Sequence, residues 1–182
     1  MLIVVIETER LILRLFEATD LDDFYAYAKV PGVGERAGWP HHKNKEETQQ
    51  VLNAFIKHQD VLAVVHKNTQ KVIGSIGLHV DEERLKGRSA KLGYVLAKPY
   101  WGHGYMSEAA KALLDHIFEE DLFDTLEVAH FIENVASKRI IEKLGFEFQN
   151  EGNYTSEALN KTFHSRFYRL TKDQYLKHMS HR

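Results

Sequence analysis

One window constrains this chain more than any other: Leu92-Gly93-Tyr94-Val95-Leu96-Ala97-Lys98-Pro99-Tyr100-Trp101-Gly102-His103-Gly104-Tyr105-Met106-Ser107-Glu108-Ala109. Its first part, Lys91 to Ala97, reads as a strand. A glycine-rich turn follows at Tyr100–Tyr105. Then Ala109, Ala110, Leu113, Leu114, Ile117 and Phe118 recur at helical spacing, which predicts a helix from Ser107 to about Phe118. A strand feeding an amphipathic helix must bury both against a second layer, so this half of the chain is committed to helices on a sheet.

The flanking segments fit that plan. Leu11, Leu13 and Leu15 alternate with Arg10, Ile12 and Arg14, so Thr8 to Phe16 reads as a half-buried strand. Asp20 opens an acidic helix that Pro31-Gly32-Val33-Gly34 breaks. An aromatic and basic loop, Gly38 to Asn44, precedes a second helix from Lys45 to about Gln59. The apolar runs Val61–Val65 and Lys71–Val80, joined at Asn68-Thr69, read as a hairpin. Gly74 and Gly77 suggest a bulge or a close approach within it. Asp81 to Arg88 is a charged link. After the window come a strand (Thr125–Ile132), a helix (Asn134–Leu144) stopped by Gly145, and strands at 146–148 and 163–170 joined by a polar connection, Asn150 to Lys161. The result is a mixed sheet covered by helices, expected as one domain over residues 1–182.

Composition removes several kinds of chemistry. With no cysteine, disulfides, thiolate metal sites and a cysteine nucleophile are excluded, and a reducing, cytoplasmic setting fits. Twenty-four Lys+Arg against 26 Asp+Glu supply no basic field, so direct nucleic-acid binding is not expected. The apolar opening Leu2 to Ile6 is far short of the roughly 18–20 residues a membrane span needs. His41 and His42 have no partner at metal spacing, so no metal is expected. His130 shares a strand face with Leu126, Val128 and Ile132 and reads as a core histidine.

What remains is the turn itself. Glycines at 102 and 104 allow tight turning and close approach, and the next N–H groups are unpaired helix-terminal donors. Backed by the helix dipole, they suit a phosphate or pyrophosphate. No Gly-Lys-Ser/Thr follows, so it is not a P-loop. Ser107 stands where a dinucleotide fingerprint has its third glycine. A second window, Phe131-Ile132-Glu133-Asn134-Val135-Ala136-Ser137, ends in Glu142-Lys143-Leu144-Gly145-Phe146. By itself it offers Asn134 as an N-cap and Ser137 as an ordinary first-turn serine.

Together, Tyr-Trp-Gly-His-Gly-Tyr, then Asn-x-x-Ser, then Glu-Lys-Leu-Gly-Phe resemble the GCN5-related N-acetyltransferases (GNAT). More narrowly, they resemble the RimJ/RimL-like branch that acetylates the N-termini of ribosomal proteins. The similarity runs from Ile6-Glu7-Thr8-Glu9-Arg10 to about Phe146. It implies the α/β (α+β) GNAT fold: a mixed, mostly antiparallel sheet flanked by helices, with a splayed parallel strand pair forming the acetyl-CoA cleft. It also implies the roles of particular residues. Val95 and Leu96 match the strand residues whose backbone pairs with the pantetheine arm. The amides of Gly102, His103, Gly104, Tyr105, Met106 and Ser107 match those holding the pyrophosphate. Asn134 matches a cofactor contact across the splay, and Ser137 the serine proposed to protonate the departing CoA thiolate. The Trp39-Pro40-His41 loop matches the acceptor side.

The chain departs from the family pattern at several points. Trp101 stands where the wider family has Gln or Arg, and Met106 is bulkier than the usual Gly or Ala. The tyrosine acid of many relatives falls on Ile141, and the strand glutamate on Lys91. Glu82, Glu83 and Glu133 are the remaining candidates for a base or water relay. Chemistry is possible without a strong base, because an α-amine of pKa near 7.8 is already about 14% neutral at pH 7, against roughly 0.04% for a lysine. The reading that follows is acetyl transfer by direct attack in a ternary complex, most naturally to a protein N-terminal α-amine. A small-amine acceptor (polyamine, amino sugar or antibiotic), a non-catalytic acyl-CoA sensor and a dinucleotide oxidoreductase stand as alternatives. The partner is thus a protein N-terminus or a small amine, with no membrane, and the protein a monomer or homodimer.

Overall fold

The structure, a computed structural model, describes residues 5–181; the apolar opening at 2–4 lies outside them. Its centre is an eight-stranded sheet in the order β1-β2-β3-β4-β5-β6-β8-β7. The strands are β1 (Ile6–Glu7), β2 (Leu11–Leu15), β3 (Val61–His66), β4 (Lys71–His79), β5 (Ser89–Leu96), β6 (Thr125–Phe131), β7 (Glu147–Ser156) and β8 (Lys161–Thr171). All neighbours run antiparallel except β5 and β6. Among the described residues no helix is long and apolar enough to cross a membrane.

The sheet has a core on each face. Leu11, Leu13, Leu62 and Val64 face α4 (Tyr105–Glu119), whose stripe Ala109, Ala110, Leu113, Leu114 and Ile117 is fully buried. Leu126, Val128 and Ile141 of α5 (Val135–Lys143) complete that layer. The alternate residues Ala63 and Val65, with Ile12 packed beside them, face the other way. There they meet Phe24 and Tyr27 of α1 (Leu21–Ala28) and Leu52 of α2 (Lys45–His58). β3 is therefore buried on both faces, while β2 is half-buried. Alternation fixed which residue joins which core, and helices on both sides supplied the burial.

Gly74 shows both features its position suggests. The β3–β4 register shifts so that Val64 pairs with Gly74 and Val65 with Val72, leaving Ile73 over as a bulge. A Cβ on Gly74 would stand 2.4 Å from the Val95 carbonyl oxygen, so only glycine lets β4 lie this close to β5.

Three segments differ from expectation. The charged link contains a short helix, α3 (Glu82–Lys86), nucleated where the Asp81 carboxylate accepts from the Arg84 amide at 2.8 Å. The polar connection 150–161 is mostly strand, since β7 and β8 pair from Glu147–Arg169 out to Ser156–Lys161. A C-terminal helix, α6 (Lys172–Ser180), follows a capping box between Thr171 and Gln174 and buries Tyr175 against Phe118.

The feature that makes a site is the β5–β6 pair. The two strands are in register for only three residues, Ser89–Thr125, Ala90–Leu126 and Lys91–Glu127. Beyond Lys91, β5 remains bonded to β4 and β6 to β8, but the facing edges part. A wedge opens through the sheet.

Candidate active site

The wedge is a cavity of about 450 Å³, in the range of small-molecule sites. One wall is the bare edge of β5, with Val95 and Leu96; another is β6 from Val128 to Phe131; the mouth lies at the start of α4 and of α5. Of the residues singled out in the sequence, Val95, Leu96, Gly102, Gly104, Tyr105, Met106, Ser107, Asn134 and Ser137 all line it. His103 does not. It lines a smaller neighbouring cavity with Arg10, Lys111 and Lys143.

At the mouth, Gly102 and Gly104 have φ of +78° and +79°, a region where other residues are strained. Gly104 is the N-cap of α4 and offers no side chain, so the first-turn N–H groups of Tyr105, Met106 and Ser107 have no capping partner. The indole of Trp101 donates to the Leu96 carbonyl at 2.7 Å and ties the turn to the end of β5. Arg10 braces it from outside: its Nη1 donates to the His103 carbonyl at 3.0 Å and its guanidinium lies 4.2 Å from the Tyr105 ring. The same Arg10 pairs with Glu108 at 2.7 Å, and Thr8 donates to Glu108 at 2.6 Å. Burial works to raise the Glu108 pKa, but these hydrogen bonds and the cation outweigh it and hold the carboxyl below its usual range. Its charge is therefore neutralised locally and does not oppose an anion at the turn. Met106 is buried in the α4 core, which explains how a residue this bulky is tolerated beside the turn.

Across the wedge, Asn134 caps α5, its Oδ1 accepting from the Ser137 amide at 3.2 Å. Ser137 is buried, and its Oγ lies 2.8 Å from the hydroxyl of Tyr94. Burial pushes the Tyr94 pKa up to about 12, only partly countered by Ser137, so the phenol is protonated throughout the neutral range. Tyr94 was not among the residues chosen from the sequence. Strand alternation puts it on the face toward α5, yet nothing local says that it meets Ser137. Ile141, on the family's tyrosine position, is fully buried in the core.

Among the described residues, no carboxylate lines the cavity. Glu82, Glu83 and Glu133 are exposed and stand outside it. Glu127, closest in sequence to the apex, forms an ion pair with Arg84. The acceptor-side loop also sits differently from expectation. Val33, Arg36 and Ala37 reach the cavity, while Trp39 packs against Gly34 and His42. His41 pairs with Glu35 and His42 with Thr48, each at 2.7 Å. No group of His, Asp or Glu that could hold a metal occurs among the described residues. His130 is a core histidine as read, bonded to the Tyr168 hydroxyl at 3.1 Å.

Comparison with known proteins agrees with this architecture. The family model described as acetyltransferase (GNAT) domain matches residues 10–147. An uncharacterized N-acetyltransferase, p20 of Bacillus licheniformis, is 30% identical over 151 residues, covering 80% of this chain and 82% of that protein. A GNAT-family acetyltransferase from Bacillus anthracis superposes with a TM-score of 0.84 at 23% identity, over 93% of this chain and 99% of the other. A ribosomal-protein-S5-alanine acetyltransferase from Vibrio fischeri shares the fold with a TM-score of 0.72 at 22% identity, over 94% and 98% of the two chains.

Proposed function

Because the chain belongs to the GNAT acetyltransferase family and is an acetyl-CoA-dependent N-acetyltransferase, we propose that its acceptor is the α-amine of a protein N-terminus. The observation that carries this reading is the absence of any carboxylate lining the cleft, among the described residues. Without a base, the acceptor must arrive neutral. An α-amine does so about 14% of the time at pH 7, a lysine side chain roughly 0.04%. The cleft's cations, Arg36, Lys91 and Arg139, depress the pKa of any amine brought near them and favour the reactive form further. The fold shared with a ribosomal-protein acetyltransferase lends the reading support from outside the cleft.

Acetyl-CoA fits the cleft on three grounds: the uncapped start of α4, the bare edge of β5, and a passage open to both faces of the sheet. It supplies the acetyl group as a thioester, whose carbonyl carbon the amine attacks as the carbon–sulfur bond breaks. In this proposal the amides from Gly102 through His103, Gly104, Tyr105 and Met106 to Ser107 bind the pyrophosphate. The β5 backbone at Val95 and Leu96 orients the pantetheine arm, and Asn134 closes the opposite side. Ser137 gives its proton to the departing sulfur, and the proton lost by the nitrogen passes through water and the Tyr94 hydroxyl to restore the serine. Positioning supplies much of the remaining rate.

The test is CoA release with peptides that differ only in a free or blocked N-terminus, each with an internal lysine. Turnover that disappears on blocking supports the reading. Equal turnover of both overturns it.

A further inference from the structure

The deep end of the wedge, away from the α4 turn, carries a cation and an aromatic wall. Lys91 stands at the apex where β5 and β6 part, four residues along an extended strand from Val95, or about 13 Å. By alternation Lys91 lies on the α1–α2 face of the sheet, with Gly93 and Val95. Phe131 and its cross-strand partner Ser165 share that face, as Leu126 and Val128 hold the other. Phe131 stacks on Phe163 at 4.0 Å and lies 5.8 Å from Tyr154, making an aromatic wall. The Arg36 loop roofs it, held where Ser156 donates to the Gly38 carbonyl at 2.6 Å.

Two groups lining this face of the cavity are chemically unfinished: Lys91 at the apex, and Ser165, which the register places level with Phe131, four residues beyond Glu127. Lys91 is half-buried and makes no ion pair among the described residues; its ammonium lies 5.6 Å from the Tyr154 ring. The nearby carboxylate Glu127 is bound to Arg84, which also pairs with Asp81 at 3.7 Å, so neither carboxylate is given over to Lys91. Ser165, 1% exposed, has an Oγ with no hydrogen-bond partner although it lines the cavity. A desolvated cation and a buried hydroxyl without partners both cost free energy that a bound anion would recover. Arg36, over the Trp101 ring at 4.4 Å and also without an ion pair among the described residues, adds a further cation at the rim.

We propose that Lys91 and Ser165 form an anion subsite, so that the enzyme prefers acceptor amines carrying a carboxylate or phosphate close to the reacting nitrogen. This rests on the acetyl-transfer reading and extends it: for a peptide, the N-terminal α-amine is followed by an acidic side chain. Lys91 is thereby a specificity residue, occupying with opposite sign the place where a base would stand. A polyamine is the acceptor this chamber fits least.

The experiment compares kcat/KM for peptides that differ only at their second residue: Glu, phosphoserine, Gln or Lys. Free glutamate and phosphoethanolamine are run alongside as small anionic amines. Preference for Glu or phosphoserine over Gln by at least about tenfold, the scale of one charge-assisted hydrogen bond, supports the subsite, and the ratio of the two identifies the anion. Lys91→Glu should abolish or invert that preference and Ser165→Ala should reduce it, with melting temperature confirming the fold. Equal kcat/KM across the four peptides overturns the proposal, as does a preference that survives Lys91→Glu. If no peptide reacts but the small anionic amines do, the subsite stands and the protein-N-terminus reading falls.

Discussion

The hydroxyl of Tyr94 lies 2.8 Å from Oγ of Ser137, joining β5 to the first turn of α5 across the wedge. The phenol orients the serine from behind. Ser137→Ala should lower kcat by about 10²-fold, the lower end for a positioned acid, with KM for acetyl-CoA little changed. Tyr94→Phe should cost less, about tenfold, because the serine survives without its orienting partner. The double variant should be no worse than Ser137→Ala, since both changes interrupt one relay; steady-state kinetics on the four proteins reads the coupling. Additive losses would separate the two residues.

The same pair sets an expectation for pH. Burial raises the Tyr94 pKa from its ordinary value near 10 to about 12. A phenol raised in the folded state stabilises the fold fully below about pH 10 and loses that contribution as pH climbs through about 12. The rate should therefore rise with pH as the acceptor amine deprotonates, near pH 7.7–8.0 for a free α-amine. Loss of the Tyr94 proton should produce no falling limb below about pH 10. A kcat/KM profile on a peptide acceptor checks this, and a descending limb at pH 8 that disappears in Tyr94→Phe would contradict it.

Gly93 lies between Lys91 and Val95 on the strand and lines the wedge, and a Cβ built there meets nothing within 4 Å. Its φ is not in the left-handed region. Valine at this site is thus compatible with the fold and improves strand propensity, while its two methyl groups project into the acceptor passage. Gly93→Val should leave the melting temperature unchanged or raised, yet reduce acceptor kcat/KM by about tenfold or more. Binding of CoA alone, by calorimetry, should persist. A fully active Gly93→Val would mean that the acceptor takes another route.

Much of this was legible in the sequence, and what was not has a common cause. The strand–turn–helix at 92–118 carries its own periodicity and punctuation, so its elements, and the glycine turn that lines the cavity, could be read locally. Asn134 and Gly145 likewise mark the ends of α5 in the chain itself. The β7 stretch Gln149 to Thr155 gave no such signal: it is exposed and polar, and it is strand only because β8 pairs with it. The signal for α6, the capping box of Thr171 and Gln174 before a weakly amphipathic segment, lay in the sequence but was not read as a helix. The Tyr94–Ser137 contact and the Lys91–Ser165 chamber join residues from different elements. Alternation assigns each a face, but which side chains meet across the wedge depends on where β5 and β6 part.

Glu108 links the N-terminal strand to α4 by accepting from Thr8, the Arg10 amide and the Arg10 side chain. Removing it with Glu108→Ala leaves those donors without their partner and should cost about 1–3 kcal/mol, read as a lower urea midpoint. Because the folded-state pKa of Glu108 is depressed, the wild-type contribution is present above about pH 4.5 and is lost as pH falls through the lower folded value. The difference in stability between wild type and Glu108→Ala should therefore shrink on acidification. A constant difference from pH 7 to pH 3 would show that the cluster acts through packing rather than charge.

Gly104 provides the sharpest test of the anion site, because strain and space separate there. At φ +79° an alanine is strained by roughly 1–2 kcal/mol, whereas its Cβ would meet only the Arg10 guanidinium at an ordinary 3.6 Å. Relief of the strain requires the backbone to rotate, and that rotation turns the N–H groups of Tyr105 and Met106 away from a common point. Gly104→Ala should therefore raise KM for acetyl-CoA at least severalfold, weaken CoA binding in parallel, and leave KM for the acceptor near its original value. Ionic strength supplies a second readout. If the turn holds the pyrophosphate, CoA binding to the wild type should weaken with added salt, and the variant, having lost aligned donors, should show a shallower dependence. If KM for the acceptor rises while CoA affinity holds, the turn belongs to the acceptor side and the orientation of both substrates in the wedge must be reversed.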